Sequence, residues 1–262
     1  MNDTSILSRR RLLGLGAASA GGLLLGGCDQ LNASESFKAG LHSATGLSLR
    51  SQRFLMGNAL APEFSEAQMS PNFRVNGSNS VKDPVYRKFF DAGFAGWALR
   101  IDGLVHTPLQ LTLDALKAMP QRSQITRHDC VEGWSAIGKW QGPKLGDVLA
   151  AAGLLPAARY AVFHCADVLS GAQYYESVDL IDAFHPQTIL AWRMNDQPLS
   201  EGRGAPIRLR VERQLGYKHA KYVMRIEAVA ALDAKDANGQ TILGRGNGGF
   251  WSDRGYEWYA GI

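Results

Sequence analysis

The chain has 262 residues, of which 45% are hydrophobic and 20% charged, which suits one large globular domain or two small ones and excludes a largely disordered protein. Its formal net charge is +4, and it falls to +2 without Arg9, Arg10, Arg11 and Asp3. A balance so close to neutral is no nucleic-acid-binding signature, so we expect no nucleic-acid partner.

The first 28 residues are typical of an export signal. The letters SRRRLL at residues 8–13 are a twin-arginine pattern, and a Gly/Ala/Leu stretch leads from them to LGGC at residues 25–28. The stretch is too short and too glycine-rich for a transmembrane helix, which needs about 20 residues. LGGC resembles a bacterial lipoprotein box, which implies a periplasmic protein anchored to a membrane through lipidated Cys28; an ordinary cleaved signal is the alternative.

Residues 29–50 are polar, rich in small side chains and without clear periodicity, which is typical of a tether. A folded domain is expected over residues 51–262. In its first half, residues 97–101 alternate with period two, and Thr112 caps a predicted helix that runs through Met119. Pro143 opens a second predicted helix over residues 144–152, which Gly153 ends.

The second half of the predicted domain contains mainly strands. Residues 161–163 and 189–192 are typical of buried strands, and the second of these is followed by an Asn-Asp turn at residues 195–196. Residues 207–212 alternate apolar with charged side chains, and residues 222–231 predict a further strand. These short, mixed elements favour an α+β fold over a regular doubly wound sheet.

With Cys28 lipidated, Cys130 and Cys165 remain, and two cysteines in an exported protein form a disulfide by default. A non-catalytic binding module with a Cys130–Cys165 disulfide is therefore one hypothesis. A metal site is another, because His128, Asp129, Cys130, His164 and Cys165 offer nitrogen, oxygen and sulfur ligands. No C-x-x-C or H-x-x-x-H spacing occurs, so a zinc hydrolase that uses His128 and His164 is only weakly indicated.

Four segments in a fixed order carry a family resemblance. They are RHDCVEGWS at residues 127–135, WQG at 140–142, GAPIRL at 204–209 and GYKHAK at 216–221. Together they resemble the sulfite oxidase superfamily of mononuclear molybdenum enzymes, and most of all its heme-free bacterial branch, to which periplasmic methionine sulfoxide reductase catalytic subunits belong. The resemblance covers roughly residues 65–231, and it implies a molybdopterin-binding fold of mixed β-sheets and short helices.

The resemblance also implies a cofactor, Mo-molybdopterin, and the residues that hold it. Cys130 is the expected single protein ligand of the metal, which would keep its sulfur in the thiolate form. Arg208, His219, Ala220 and Lys221 match the cofactor-binding segment, and Arg208 and Lys221 suit the phosphate because they are charged donors.

Further candidates have looser matches. Arg74 and Asn76 fall in the first cofactor-facing loop, and Arg203 stands where the family commonly has Asn or His. Cys165 either contacts the pterin or packs as a small core residue. Tyr174 and Glu176 match positions near the pocket edge, where Tyr174 could donate a proton, so both are candidate catalytic residues with Cys130.

The activity implied by the resemblance is oxygen-atom transfer with a small-molecule oxygen donor or acceptor. Glu132 stands where sulfite oxidases have a cation that helps bind their anionic substrate, so sulfite is disfavoured and reduction of a sulfoxide or N-oxide, or the reverse oxidation, is favoured. The sequence has no C-x-x-C-H heme motif and too few cysteines for an iron–sulfur cluster. A separate heme-containing electron-transfer partner is therefore expected, either a membrane cytochrome b or a c-type cytochrome.

Overall fold

The computed structural model describes the backbone of residues 34–262 and the side chains of residues 34 and 46–262. The predicted signal over residues 1–28 and the start of the predicted tether lie outside these described residues. The chain divides into two units, residues 1–57 and residues 58–262. In the first, residues 35–56 form helix α1 (Glu35–Met56), which no periodicity in the sequence indicates. No helix among the described residues is both long and apolar enough to cross a membrane.

The second unit is an α+β fold of short helices and eleven strands in its described residues. Its helices are α2 (Pro84–Asp91), α3 (Leu113–Ala118), α4 (Leu145–Ala152) and α5 (Leu180–Ala183). Its strands are β1 (Ala98–Gly103), β2 (Leu109–Thr112), β3 (Gln121–Cys130), β4 (Trp134–Pro143), β5 (Tyr160–Leu169), β6 (Ala172–Asp179), β7 (Ile189–Ala191), β8 (Arg193–Met194), β9 (Gln197–Pro198), β10 (Arg208–Arg210) and β11 (Val223–Val229).

The strands form three sheets. A five-stranded sheet has the order β2-β1-β11-β5-β6, in which β1 and β11 are parallel and the other pairs antiparallel. An antiparallel sheet of four strands has the order β3-β4-β8-β9, and β10 pairs with β7 in a third. With three antiparallel pairs and one parallel pair, this sheet is not the mostly parallel sheet of a doubly wound fold.

The predicted strand and helices of the first half are confirmed. In β1, Leu99 and Ile101 are buried while Arg100 is exposed, as a period-two pattern requires. The Thr112 side chain accepts a hydrogen bond from the Ala115 amide at 3.1 Å and caps α3. Helix α4 ends at Gly153, whose φ of +67° lies in the left-handed region that favours glycine.

The main hydrophobic core lies between the five-stranded sheet and the helices. Leu116 of α3 and Leu145, Val148 and Leu149 of α4 are all fully buried in it, together with Phe163 of β5. A second, smaller cluster contains Phe73 and Trp140 and packs against the four-stranded sheet. The first core contains residues of β5 and β11, and the second contains residues of β4.

The alternating pattern over residues 207–212 places apolar and charged side chains on opposite faces of the chain, and the structure buries both faces. All three residues of β10 are buried, including Arg208 and Arg210. Their guanidinium groups lie over the indole ring of Trp140, at 5.1 and 4.3 Å from its centroid. Arg210 also pairs with the buried carboxylate of Glu212 at 2.5 Å. Cation–π contacts and ion pairing offset the burial of charges that would otherwise face solvent.

Candidate active site

A cavity of about 330 Å³ opens where the β3–β4 hairpin, the chain segment before α2, and the segment between β10 and β11 meet. This volume is within the ~300–1,000 Å³ range of small-molecule sites. Its lining residues come from separate parts of the chain: Asn76, Gly77, Ser78, Cys130, Val131, Glu132, Asp167, Leu169, Ser170, Tyr174, Gly216, Tyr217, His219, Lys221 and Trp251.

Cys130 is the last residue of β3, at the tip of the β3–β4 hairpin. It pairs in register with Trp134, and its carbonyl accepts a hydrogen bond from the Gly133 amide at 3.0 Å, which closes the turn. Gly133 has a φ of +84°, a conformation that side chains with a Cβ rarely adopt. The long hairpin therefore holds the thiol at a fixed point of the cavity wall.

The Cys130 thiol is half-buried and free, and so is the buried Cys165 thiol. The Cys130–Cys165 disulfide on which the binding-module hypothesis depends is therefore absent from the described residues. Burial raises the pKa of the Cys130 thiol, and the negative charge of Glu132 adds to this effect. A thiol that is neutral without a metal would be deprotonated by coordination.

The Gly216–Lys218 turn packs directly against the hairpin. A Cβ at Gly216 would lie 2.5 Å from the Nε2 atom of His128 and 3.2 Å from the carbonyl oxygen of Asp129. Only glycine permits this approach. The contact fixes the turn relative to the end of β3, which supplies Cys130 to the cavity. The turn itself supplies Gly216 and Tyr217, and His219 follows it directly.

His219 presents an unpaired hydrogen-bond acceptor in the cavity wall. Its Nε2 atom lies 3.0 Å from the Gln214 carbonyl oxygen, which can only accept, so Nε2 carries the proton. Burial and the nearby Arg210 hold the pKa of the imidazole well below its usual range, so the ring is neutral. Its Nδ1 atom is then an acceptor, and this buried atom has no hydrogen-bond partner among the described residues.

Lys221 contributes a buried positive charge to the same wall. Its ammonium group donates to the carbonyl oxygens of Asn76 and Gly202, both at 2.8 Å, and to that of Ser78. Burial, together with Arg208, lowers the pKa of Lys221 to about 7. Because three carbonyls already occupy its three N–H groups, a direct phosphate bond from Lys221 would replace one of these contacts.

Two predicted arginine contacts and Ala220 lie behind the wall rather than in it. Arg208 is 1% exposed and reaches the cavity only through His219, whose carbonyl oxygen is 3.3 Å from its guanidinium. Arg203 donates to the carbonyl oxygens of Phe73 and Arg74, so its guanidinium is directed to the backbone. Ala220 is buried, and its carbonyl accepts from the Leu209 amide.

The candidate residues with looser family matches also divide into those that line the cavity and those that do not. Asn76 lines the cavity, whereas the side chain of Arg74 is exposed and outside the cavity wall. Cys165 belongs to the main hydrophobic core and does not line the cavity. Its position on β5 between apolar neighbours agrees with the alternative, a small core residue.

Tyr174 and Glu176 lie on the same face of β6 but have different surroundings. Tyr174 lines the cavity, and its hydroxyl donates to the Tyr217 carbonyl oxygen at 2.7 Å. Glu176 is 0% exposed, pairs with the buried Lys218 ammonium and lies outside the cavity wall. The predicted position of Glu176 at the pocket edge is therefore corrected: the carboxylate supports the Gly216–Lys218 turn from within the core.

Several lining residues have no counterpart among the sequence predictions. Trp251 comes from the glycine-rich segment near residue 248, which the sequence indicates only as a loop. Ser78 and Asp167 form a hydrogen bond of 2.7 Å in the cavity wall. Neither of them belongs to a motif of its own, and 89 positions separate them along the chain. Only the packing of distant segments brings Ser78 and Asp167 together.

The described residues contain no cluster of three or more His, Cys, Asp or Glu side chains that could hold a metal ion. The zinc site is therefore not supported, and its two histidines lie apart: His128 accepts from Arg210 beside β10, while His164 contacts Glu227 on the five-stranded sheet. A metal at Cys130 would need ligands from a cofactor. The lone thiol, the free His219 acceptor and the Lys221 charge fit a molybdenum-bearing pterin with N–H donors and a phosphate.

Comparison with known proteins decides the family. The family model described as oxidoreductase molybdopterin binding domain matches residues 88–235, more than half of the chain. The chain belongs to this family. It is a molybdopterin-dependent oxidoreductase of the sulfite oxidase type, and its cofactor is Mo-molybdopterin.

The matches to two kinds of named relative span different shares of this oxidoreductase. The provisionally named protein-methionine-sulfoxide reductase subunit YedZ1 of Azospira oryzae is 37% identical over 207 residues, which are 78% of this chain and 69% of the relative. The protein-methionine-sulfoxide reductase catalytic subunits MsrP of Xanthomonas campestris and Xanthomonas axonopodis are both 34% identical over 147 residues, which are 52% of this chain. The match spans only 46% of the length of these MsrP chains.

Among solved structures, the sulfane dehydrogenase SoxCD of Paracoccus pantotrophus is similar with a TM-score of 0.48 and 21% identity. The similarity covers 55% of this molybdopterin-dependent oxidoreductase and 43% of that chain.

Proposed function

We propose that this molybdopterin-dependent oxidoreductase transfers one oxygen atom to or from a small molecule, and that its reaction is the reduction of a sulfoxide or N-oxide or the reverse oxidation. The observation that carries the proposal is the free Cys130 thiol on the wall of a cavity that also offers the His219 acceptor and the Lys221 charge. Relatives named methionine sulfoxide reductase support the oxygen-transfer chemistry.

The chain's own residues have distinct tasks in this proposal. Cys130 ligates the metal, His219 accepts a hydrogen bond from a pterin N–H through Nδ1, and Lys221 places a positive charge near the phosphate. When bound, the cofactor supplies the two-electron oxygen-transfer chemistry. Tyr174 does not donate into the cavity in this structure, because its hydroxyl is occupied by the Tyr217 carbonyl. It positions the backbone of the turn instead.

Arg208 acts through His219 in this arrangement. Burial and the adjacent Arg210 lower the pKa of Arg208, but a guanidinium remains protonated at neutral pH. Burial and Arg210 lower the pKa of the neighbouring His219 imidazole most, and the charge of Arg208 acts in the same direction, which preserves the Nδ1 acceptor. Arg203 stacks over the Phe73 ring at 5.0 Å and holds the loop that precedes Asn76. Both arginines are thus positioning residues for the cofactor site.

Electrons for this reaction must be exchanged with another protein. The sequence has three cysteines, too few for an iron–sulfur cluster in addition to the metal ligand, and it has no C-x-x-C-H motif for covalent heme attachment. The partner in this proposal is heme-containing, either a membrane cytochrome b or a c-type cytochrome. The twin-arginine pattern and the LGGC box support a periplasmic enzyme that is tethered to a membrane through Cys28 and residues 29–50.

Substitution of Cys130 by serine tests the function. Serine is nearly isosteric, so the Cys130→Ser protein should fold, but a hydroxyl is a hard ligand where a soft thiolate is needed. We expect pterin to be retained in part, the cysteine-thiolate-to-metal charge-transfer absorption to vanish and oxygen transfer to become undetectable. The matched control is Cys165→Ser, which lies in the core and should keep most activity per bound molybdenum.

The contradicting outcome is equally definite. Wild-type protein that is exported by its own route and contains neither molybdenum nor pterin would exclude the function. So would a Cys130→Ser variant that retains the wild-type absorption spectrum and turnover.

A further inference from the structure

The cavity carries few charges that an incoming molecule can meet. Lys221 has its ammonium directed to three carbonyl oxygens, and the His219 imidazole is neutral. The Asp167 carboxyl is buried and accepts from Ser78, and burial raises its pKa. Glu132 differs from all of these because it is both exposed and in the cavity wall.

The Glu132 carboxylate is held in place beside Cys130. Its Oε2 atom accepts a hydrogen bond from the indole Nε1 of Trp134 at 3.0 Å. The indole itself packs edge-on against Phe73, with ring centroids 6.3 Å apart, and against His128 at 5.6 Å. A charge fixed in this way acts on ligands more selectively than one on a freely rotating side chain.

Apart from Glu132 and the buried Asp167 and Lys221, the described cavity wall carries no formally charged side chain. Leu169, Ser170, Tyr217 and Trp251 line it, and the exposed Val131 lies next to Glu132 on the hairpin turn. A molecule that approaches Cys130 therefore passes one fixed negative charge and no exposed cation among the described lining residues. Anions are repelled along this path, while cations are attracted.

We propose that Glu132 is a specificity-determining residue that excludes anionic substrates and favours neutral or cationic oxygen donors and acceptors. The term substrate rests on the proposed oxygen-transfer function, whereas charge selection at Cys130 is a property of the cavity whatever the reaction. It extends that function by stating the charge class of the substrate.

The first test uses the holoenzyme and three sulfoxides with the same reacting group: dimethyl sulfoxide, which is neutral, methylsulfinylacetate, which is anionic, and methylsulfinyl-ethylammonium, which is cationic. In Glu132→Gln, kcat/KM for the anion relative to the neutral compound should rise by about 5- to 10-fold. The same ratio for the cation should fall by a similar factor. Asp114→Asn, an exposed acid of α3 outside the cavity, is the matched control and should change neither ratio.

The second test needs no cofactor. Cys130 in the metal-free, full-length protein is allowed to react with a cationic methanethiosulfonate carrying a trimethylammonium group and with an anionic one carrying a sulfonate. The same Cys130 thiolate attacks the sulfenyl sulfur of either reagent and displaces methanesulfinate, so the ratio of the two rates cancels any change in the Cys130 pKa. Glu132→Gln should lower the cation-to-anion rate ratio by about 5- to 10-fold. Trp134→Phe, which removes the indole N–H, should lower it in the same direction.

The outcomes separate this inference from the proposed function. Rate ratios that are the same in Glu132→Gln and wild type, in either test, overturn the inference. If the thiol-labelling ratio shifts as expected while the holoenzyme reduces none of the three sulfoxides and oxidises none of the corresponding sulfides, charge selection by Glu132 stands and the proposed reaction fails.

Discussion

The Glu176 carboxylate accepts a hydrogen bond from the Lys218 ammonium in the interior, and both side chains are fully buried. The Lys218 ammonium also lies 5.2 Å from the centroid of the Trp258 ring. Lys218 is the last residue of the turn that supplies Gly216 and Tyr217 to the cavity, and His219 follows it directly. The pair thus connects β6 and the C-terminal segment to the candidate active site.

Breaking this pair should destabilise the protein and loosen the site. In Glu176→Gln the Lys218 charge remains buried without its counter-ion, so we expect the free energy of unfolding to fall by about 3–5 kcal/mol. Denaturant unfolding of the metal-free protein measures the loss, and pterin content after purification should fall with it. The double variant Glu176→Leu/Lys218→Met removes both charges and should recover most of the stability. Equal losses in the single and double variants would contradict this role.

Gly216→Ala should displace the turn from the hairpin. The added methyl group would lie 2.5 Å from His128 Nε2, so one of the two segments has to move, at a cost of about 1–3 kcal/mol. Molybdenum and pterin content should decrease even though most of the protein stays folded, because the positions of Cys130 and His219 relative to each other change. Gly202→Ala is the control, since its Cβ would meet atoms no closer than 3.5 Å. A fully loaded Gly216→Ala enzyme would refute the prediction.

Lys221 should make the metal-free protein more stable as the pH rises above neutral. Burial lowers the pKa of Lys221 to about 7, from 10.5 in the unfolded chain. Between pH 7 and pH 10.5, Lys221 is therefore protonated in the unfolded state and mostly deprotonated in the folded state. The penalty for the buried charge is therefore present below pH 7 and is relieved as the pH rises. Between pH 7 and about 8.5 the free energy of unfolding should increase by about 1.5–2 kcal/mol relative to Lys221→Met. Parallel stability curves for the two proteins would exclude this effect.

Two variants of the predicted signal separate export from anchoring. Arg9→Lys with Arg10→Lys should leave precursor in the cytoplasm, because the receptor reads paired guanidinium groups. Cys28→Ala should be exported but released from membranes, since the acyl chains supply about 0.8 kcal/mol per buried CH₂. Fractionation after a salt wash measures both. Membrane-bound Cys28→Ala protein would rule out lipid anchoring as the attachment.

Local sequence was sufficient for several elements and for the family. Period two in residues 97–101, the Thr112 cap and Gly153 each act through neighbouring residues, so helices α3 and α4 and strand β1 could be predicted from them. The ordered segments around Cys130, Gly204 and Gly216 indicated the cofactor through their resemblance to the sulfite oxidase superfamily.

Tertiary structure decided which predicted residues reach the cavity. The alternation over residues 207–212 is the same whether the arginines face solvent or Trp140, and only the packing of β10 against the four-stranded sheet buries Arg208 and Arg210. Glu176 and Tyr174 are two residues apart on one strand, yet one pairs with Lys218 inside the core and the other lines the cavity. Burial, pKa and hydrogen-bond partners depend on segments distant in sequence, and these contacts are set by the packing of the sheets rather than by local pattern.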